Sequence, residues 1–167
     1  MKRWIRWMGI GVLGMEMAAQ GMPTSPSEAA QAVRGWLQAS AEPLGEKLGT
    51  AVGAVETVEN EFGVVLFHVV ALEPEGFVIC AADTEVEPIL VFAATGRYDN
   101  DPNNPLAALI RRDAQGRLER AKTATRKAGN AVAARAATKW EILRNPASGG
   151  NSKKGSGLSS VDDPRVD

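Results

Sequence analysis

Three short apolar runs, residues 64–72 (VVLFHVVAL), 77–82 (FVICAA) and 89–94 (ILVFAA), constrain this chain more than any other feature. Each is too short for a globular helix, is rich in β-branched or aromatic residues, and is bounded by turn residues. The first run is almost unbroken and reads as a central strand, because a strand covered on both faces need not alternate. Glu73-Pro74-Glu75-Gly76 and Asp83-Thr84-Glu85 supply turns between the runs. Pro88 stands at the start of the third, where a missing N–H does least harm. A weaker alternation at Val55, Thr57 and Glu59, closed by a turn over 60–63, adds a short strand ahead of them. Connections this short join antiparallel neighbours, so the expected fold is α+β: an antiparallel meander sheet of about four strands, with an N-terminal helix and C-terminal helices packed on it.

The flanks have helical spacing. Ser25 followed three residues later by Glu28 is a capping box, with Pro26 at the first helical position. Ala29, Val33, Trp36 and Leu37 then share one face, which predicts a helix over 26–40. Downstream, Asn104 is placed as an N-cap and Pro105 opens a helix carrying Leu106, Leu109 and Ile110. Gly116 is expected to interrupt or kink it. A second helical segment over 117–143 puts Leu118, Ala121, Ala128, Val132, Ala136, Trp140 and Leu143 on one side and bases on the other. That apolar stripe is shallow and needs a groove to pack in.

The two ends differ in character. Lys2, Arg3 and Arg6 precede a short apolar core over 7–13 and the small residues Ala18, Ala19 and Gly21. This is the anatomy of a secretory signal peptide over 1–21, with an apolar run too short to span a bilayer, and it implies a secreted or periplasmic protein. From Asn145 the chain is rich in Gly, Ser and Asp. The expected division is a signal peptide (1–21), one domain (22–143) and a flexible tail or linker (144–167).

A formal net charge of −1 conceals a split: ten carboxylates against Lys47 alone between Glu42 and Glu87, and ten bases against three acids between Arg111 and Arg144. The bases follow a helical pattern without interleaved aromatics, so they read as a solvated helix face and not as a nucleic-acid site. The single cysteine, Cys80, lies inside a strand run and is expected to be a buried small hydrophobe. The single histidine, His68, is expected to be a core or edge residue with a satisfied ring. One Cys and one His supply no metal cluster, and no cofactor or catalysis is expected.

Four elements in fixed order carry a family resemblance: Gly76-Phe77-Val78-Ile79-Cys80-Ala81-Ala82-Asp83, then Val86-Glu87-Pro88-Ile89-Leu90, then Gly96-Arg97-Tyr98-Asp99, then Pro105-Leu106-Ala107-Ala108-Leu109-Ile110. Over about 27–118 the chain resembles the propeptide of streptopain-type cysteine peptidases and the stand-alone Spi inhibitors. The resemblance implies an inhibitory or folding-assisting prodomain whose loop enters the active-site cleft of a streptopain-like cysteine peptidase, in cis or in trans. In the family that loop sets an Asn near the active site and holds the catalytic His out of position. The matching residues here are Asp99, Asn100, Asp101, Pro102, Asn103 and Asn104, with Asn104 the first candidate for the critical Asn and Asn103 the second. Pro102 and the Asn-Asn pair depart from the family's loop. No nucleic acid and, after signal removal, no membrane is implied as a partner. Residues 157–161 resemble the junction that precedes the peptidase domain in larger relatives. Two alternatives stand beside this reading: a fragment of a secreted cysteine peptidase precursor, and a secreted interaction module without inhibition.

Overall fold

Ser25 and Glu28 start the first helix as their spacing requires. The Ser25 hydroxyl accepts from the Glu28 amide at 3.3 Å and the Glu28 carboxylate accepts from the Ser25 amide at 2.8 Å, so two orphan donors are satisfied at once. The bonds from Ser25, reinforced by the Arg144 guanidinium, hold the Glu28 carboxyl below the usual carboxylate range. The computed structural model describes residues 21–40, 42–125 and 131–146. Its elements are α1 (Pro26–Ala39), β1 (Ala51–Glu59), β2 (Val65–Glu73), β3 (Phe77–Ala81), β4 (Ile89–Ala93), α2 (Pro105–Thr125) and α3 (Ala131–Arg144), with a 3-10 turn at Pro43–Gly45. The expected signal peptide, apart from Gly21, and the tail beyond Pro146 lie outside the described residues.

The strands form one antiparallel sheet in the order β1-β2-β3-β4, as expected of a meander. Registers Val70↔Val78 and Val78↔Phe92 put Leu66, His68, Val70 and Leu72 on the same face as Val78, Cys80 and Phe92. Helix α1 covers this face with Ala29, Ala32 and Val33, and the Trp36 ring lies 5.2 Å from that of Phe92. The other face carries Val58, Phe67, Ile79 and Ala81, which are also fully buried. Helix α2 packs on β2 from that side. Covering β2 twice is why its sequence reads as an unbroken apolar run.

Helix α3 packs against α1 through a close approach at Gly35, where a Cβ would stand 2.0 Å from the Leu143 carbonyl oxygen. Trp140 is wholly buried, and its indole N–H donates to the Val86 carbonyl at 2.9 Å. Arg144 pairs with Glu28 at 2.6 Å, and Lys139 pairs with Glu87.

Three expectations need correction. Strand β1 starts at Ala51, ahead of the alternation at Val55, because a register shift between Val52 and Val55 breaks the period of two. Gly116 neither interrupts nor kinks its helix: α2 runs through it to Thr125. One Gly costs about 1 kcal/mol relative to Ala in a helix, whereas the buried stripe Ala107, Ile110, Ala114, Leu118 and Ala121 continues across it, and packing decides. The segment expected to form a second helix over 117–143 belongs to α2 up to Thr125 and to α3 from Ala131, and 126–130 lie outside the described residues. Of its predicted apolar side, Leu118, Ala121, Ala136 and Trp140 are buried and Leu143 is half-buried, but Val132 is 72% exposed. Ala128 lies outside the described residues.

His68 is a satisfied core residue. The Thr24 carbonyl can only accept, so Nε2, 2.9 Å away, carries the ring proton, and Nδ1 accepts from the Thr57 hydroxyl at 3.0 Å. Burial pushes its pKa down, opposed by the Thr24 bond and by Glu28. The unfolded chain therefore binds the His68 proton more readily than the folded one, and stability is lost as pH falls below the ordinary histidine value of 6.5. Unfolding free energies from urea titrations between pH 7.5 and 5.5 should drop with a slope of up to ~1.4 kcal/mol per pH unit, and His68→Gln, which keeps a donor for Thr24, should flatten that slope. A slope unchanged by His68→Gln would contradict the assignment. Gly35→Ala should destabilise by about 1–3 kcal/mol, since backbone must move to admit the methyl; an unchanged denaturation midpoint would refute the close approach.

Candidate functional site

The segment after β4 is steered across the sheet before it becomes a loop. Gly76, at φ +98°, turns the chain between β2 and β3, and its N–H donates to the Gly96 carbonyl at 3.2 Å. The Tyr98 ring then packs on Phe67 and Phe77, with centroids 5.9 and 5.7 Å apart, so Tyr98 belongs to the core and not to the polar loop. Asn100 reaches the edge strand, where its amide donates to Glu56 at 3.3 Å. The chain has thus crossed one face of the sheet, from β3 to β1. Helix α2 leads it back.

Between those anchors the backbone is folded by its own side chains. The Asp99 carboxylate accepts from the Asp101 N–H at 3.0 Å, and the Asp101 carboxylate accepts from the Asn103 N–H at 2.8 Å. The Asn104 side-chain oxygen accepts from the Leu106 N–H at 3.0 Å. These are three Asx turns in succession, each spanning two residues. A fourth bond, from the Asn104 N–H to the Asp101 carbonyl at 2.9 Å, closes a β-turn with Pro102 at the position where its fixed φ is favoured. Pro102 and the Asx bonds together restrict the loop without any core of its own.

The two asparagines differ. Asn104 is the N-cap of α2: its side chain takes the Leu106 amide and its carbonyl accepts the first helical bond from Ala108 at 3.0 Å. Its NH₂ lies 3.4 Å from an Asp99 carboxylate oxygen, and the residue is half-buried. Asn103 is exposed at the tip with Asp101 and Pro102, and its NH₂ donates to Asp101 at 3.0 Å. Its side-chain carbonyl receives no hydrogen bond among the described residues. Asp99 is exposed, and Asn100 is half-buried at the loop's base.

Residues outside the predicted loop hold it. Arg111, one turn into α2, donates to the Glu59 carbonyl at 2.9 Å and to the Asn100 side-chain oxygen at 2.7 Å. The Tyr98 hydroxyl and Arg111 Nε are buried without a hydrogen-bond partner. Burial pushes the Tyr98 phenol up, with Arg111 opposing. Arg111 thus departs from the expected solvated face, which its neighbour Arg112 does follow. In helical projection it sits beside the buried Ala107, Ile110 and Ala114, a cue present in the sequence but masked by the basic pattern around it.

The rest of the described surface is chemically quiet. No group of His, Cys, Asp or Glu among the described residues could hold a metal ion. Burial pushes the Cys80 thiol up to about 12, which leaves it protonated and unreactive. An open groove of about 610 Å³ lies on the sheet face beside Tyr98, between Val69, Ala71 and Phe77. No described helix is long and apolar enough to cross a membrane.

An α+β scaffold that presents a pre-shaped polar loop is a form suited to binding. Residues 21–116 match the model of the Spi protease inhibitor family, and with more than half its length matched the chain belongs to that family. The match takes in α1, the whole sheet, the loop and the first three turns of α2, and leaves out α3. No curated protein and no solved structure matches the chain. The family makes this a protease inhibitor, with a protease as its partner.

Because Asn104 caps α2, Asn104→Ala should lower stability by about 1 kcal/mol, whereas Asn103→Ala should change it by less than about 0.5 kcal/mol. Chemical denaturation of the two variants checks this; equal losses would contradict the division of labour between them.

Proposed function

We propose that the chain is an exported inhibitor of a streptopain-like cysteine peptidase, and that the loop of Asp99, Asn100, Asp101, Pro102, Asn103 and Asn104 enters the peptidase's active-site cleft. In this reading residues 1–21 are a signal peptide, 22–143 the inhibitory domain and 144–167 a tail or linker. The observation that carries it is the state of the loop tip: exposed, folded by its own hydrogen bonds, and ending in a carboxamide whose carbonyl is unengaged among the described residues. A cleft built for a peptide bond offers donors and acceptors in the same pattern that a carboxamide satisfies, without an extended backbone to cut. A loop already turned loses little entropy on binding.

The Asn103 side chain makes the direct contact, and Asn104 shapes the turn behind it while starting α2. This reverses the order in which the sequence ranks the two, because a cap already uses the Asn104 oxygen. Neither asparagine acts as an acid or base. The loop blocks the cleft by occupying it.

Titration of the purified chain from Gly21 onward into an activated streptopain-like peptidase should give competitive inhibition. Asn103→Ala should weaken it by about 1–3 kcal/mol, the scale for leaving buried polar groups unpaired. Inhibition constants unchanged in both Asn103→Ala and Asn104→Ala would remove the loop from the mechanism.

A further inference from the structure

We propose that Arg111 is a positioning residue for inhibition: its guanidinium ties the loop to the sheet edge and holds the tip in the binding geometry. This rests on the reading of the 99–104 loop as the protease-binding element. Three parts of the molecule meet at this one side chain. It projects from α2, it donates to the Glu59 carbonyl at 2.9 Å on β1, and it donates to the Asn100 side chain at 2.7 Å at the loop's base. Asn100 in turn donates to Glu56 at 3.3 Å, three residues before Glu59 on the same strand.

The other loop bonds have a different reach. Those of Asp99, Asp101, Asn103 and Asn104 close on residues two to five positions away, and shape the loop and the start of α2 without fixing the loop to the sheet. Among the described residues, the Asn100–Glu56 bond is the one hydrogen bond from a loop side chain to the sheet, and Arg111 braces that asparagine from the opposite side. A planar guanidinium can serve two acceptors in fixed directions at once, which a lysine ammonium on a flexible stem does not reproduce.

Arg111 is also a poor choice for stability alone. Its Nε is buried without a partner, and so is the Tyr98 hydroxyl, and unpaired buried polar groups are destabilising. An apolar side chain of similar length would remove the first of these penalties. What it would lose is the tether. Without the tether the loop occupies its binding geometry only part of the time, and apparent affinity falls by that fraction.

The test compares full-length variants in thermal melts and in inhibition of an activated streptopain-like peptidase. Arg111→Met should weaken inhibition about tenfold, as expected if the competent loop is populated one tenth of the time, while the melting temperature is unchanged or raised. Asn100→Ala should weaken inhibition similarly, and the double variant should be no worse than either, because both break one tether. Arg111→Lys should behave like Arg111→Met, and the loss should persist at high salt, which separates positioning from charge steering. Full inhibition by Arg111→Met alongside weakened Asn103→Ala would overturn the inference and leave the loop reading standing. Melting and inhibition lost in step in Arg111→Met, with Asn100→Ala silent, would show a structural role only and overturn it too. If Arg111→Met does not fold, Asn100→Ala alone decides. Full inhibition by Asn103→Ala and Arg111→Met together would sink the loop reading itself.

Discussion

Burial of β2 on both faces is the constraint from which the rest of the structure follows. Phe67 and Val70 are both fully buried, on opposite faces of the same strand, so the chain must supply two covers for one sheet. Helix α1 arrives first and takes one face, fixed at its start by the Ser25–Glu28 capping box and by the His68 bond to Thr24. The other cover has to come after β4. That is why the chain crosses the sheet through Tyr98 and returns as α2.

The loop is a product of that crossing. A segment that traverses a sheet face and then reverses must turn at the sheet's edge, and the turn falls at residues 99–104, beside β1. Nothing apolar is available there to hold it, so the chain uses Asx turns and a proline, whose constraints are local and survive full exposure. Rigidity at an exposed tip is useful to an inhibitor, since an ordered loop binds without first being ordered. The same arrangement separates tasks. Asn104 and Arg111 face inward to the helix and the sheet, and Asn103 faces out.

Much of this was legible in the sequence. The β-branched runs announced β2, β3 and β4, and the Ser25–Glu28 spacing announced α1. Asn104 before Pro105 announced the start of α2. What stayed hidden had physical reasons. The first half of β1 was concealed by a bulge next to Gly53, where no apolar alternation exists to be read. Gly116 looked like a break because propensity is local, while the Ala107–Ala121 stripe that overrides it acts only through packing. Val132 looked apolar and inward, yet it stands exposed on α3. Arg111 was hardest, since a base among bases reads as solvent-facing, and its contacts with Glu59 and Asn100 are what set it apart from Arg112 in the structure. The loop's position could be read, but the unequal engagement of its two asparagines could not.

The most direct measurement is the rate at which a small alkylating agent, iodoacetamide, labels the active-site cysteine of an activated streptopain-like peptidase with and without a saturating amount of this chain. Occupation of the cleft by the loop predicts that labelling slows sharply in the complex. A peptidase that binds the chain by calorimetry yet is alkylated at the free-enzyme rate would place the contact away from the cleft, and would contradict the account.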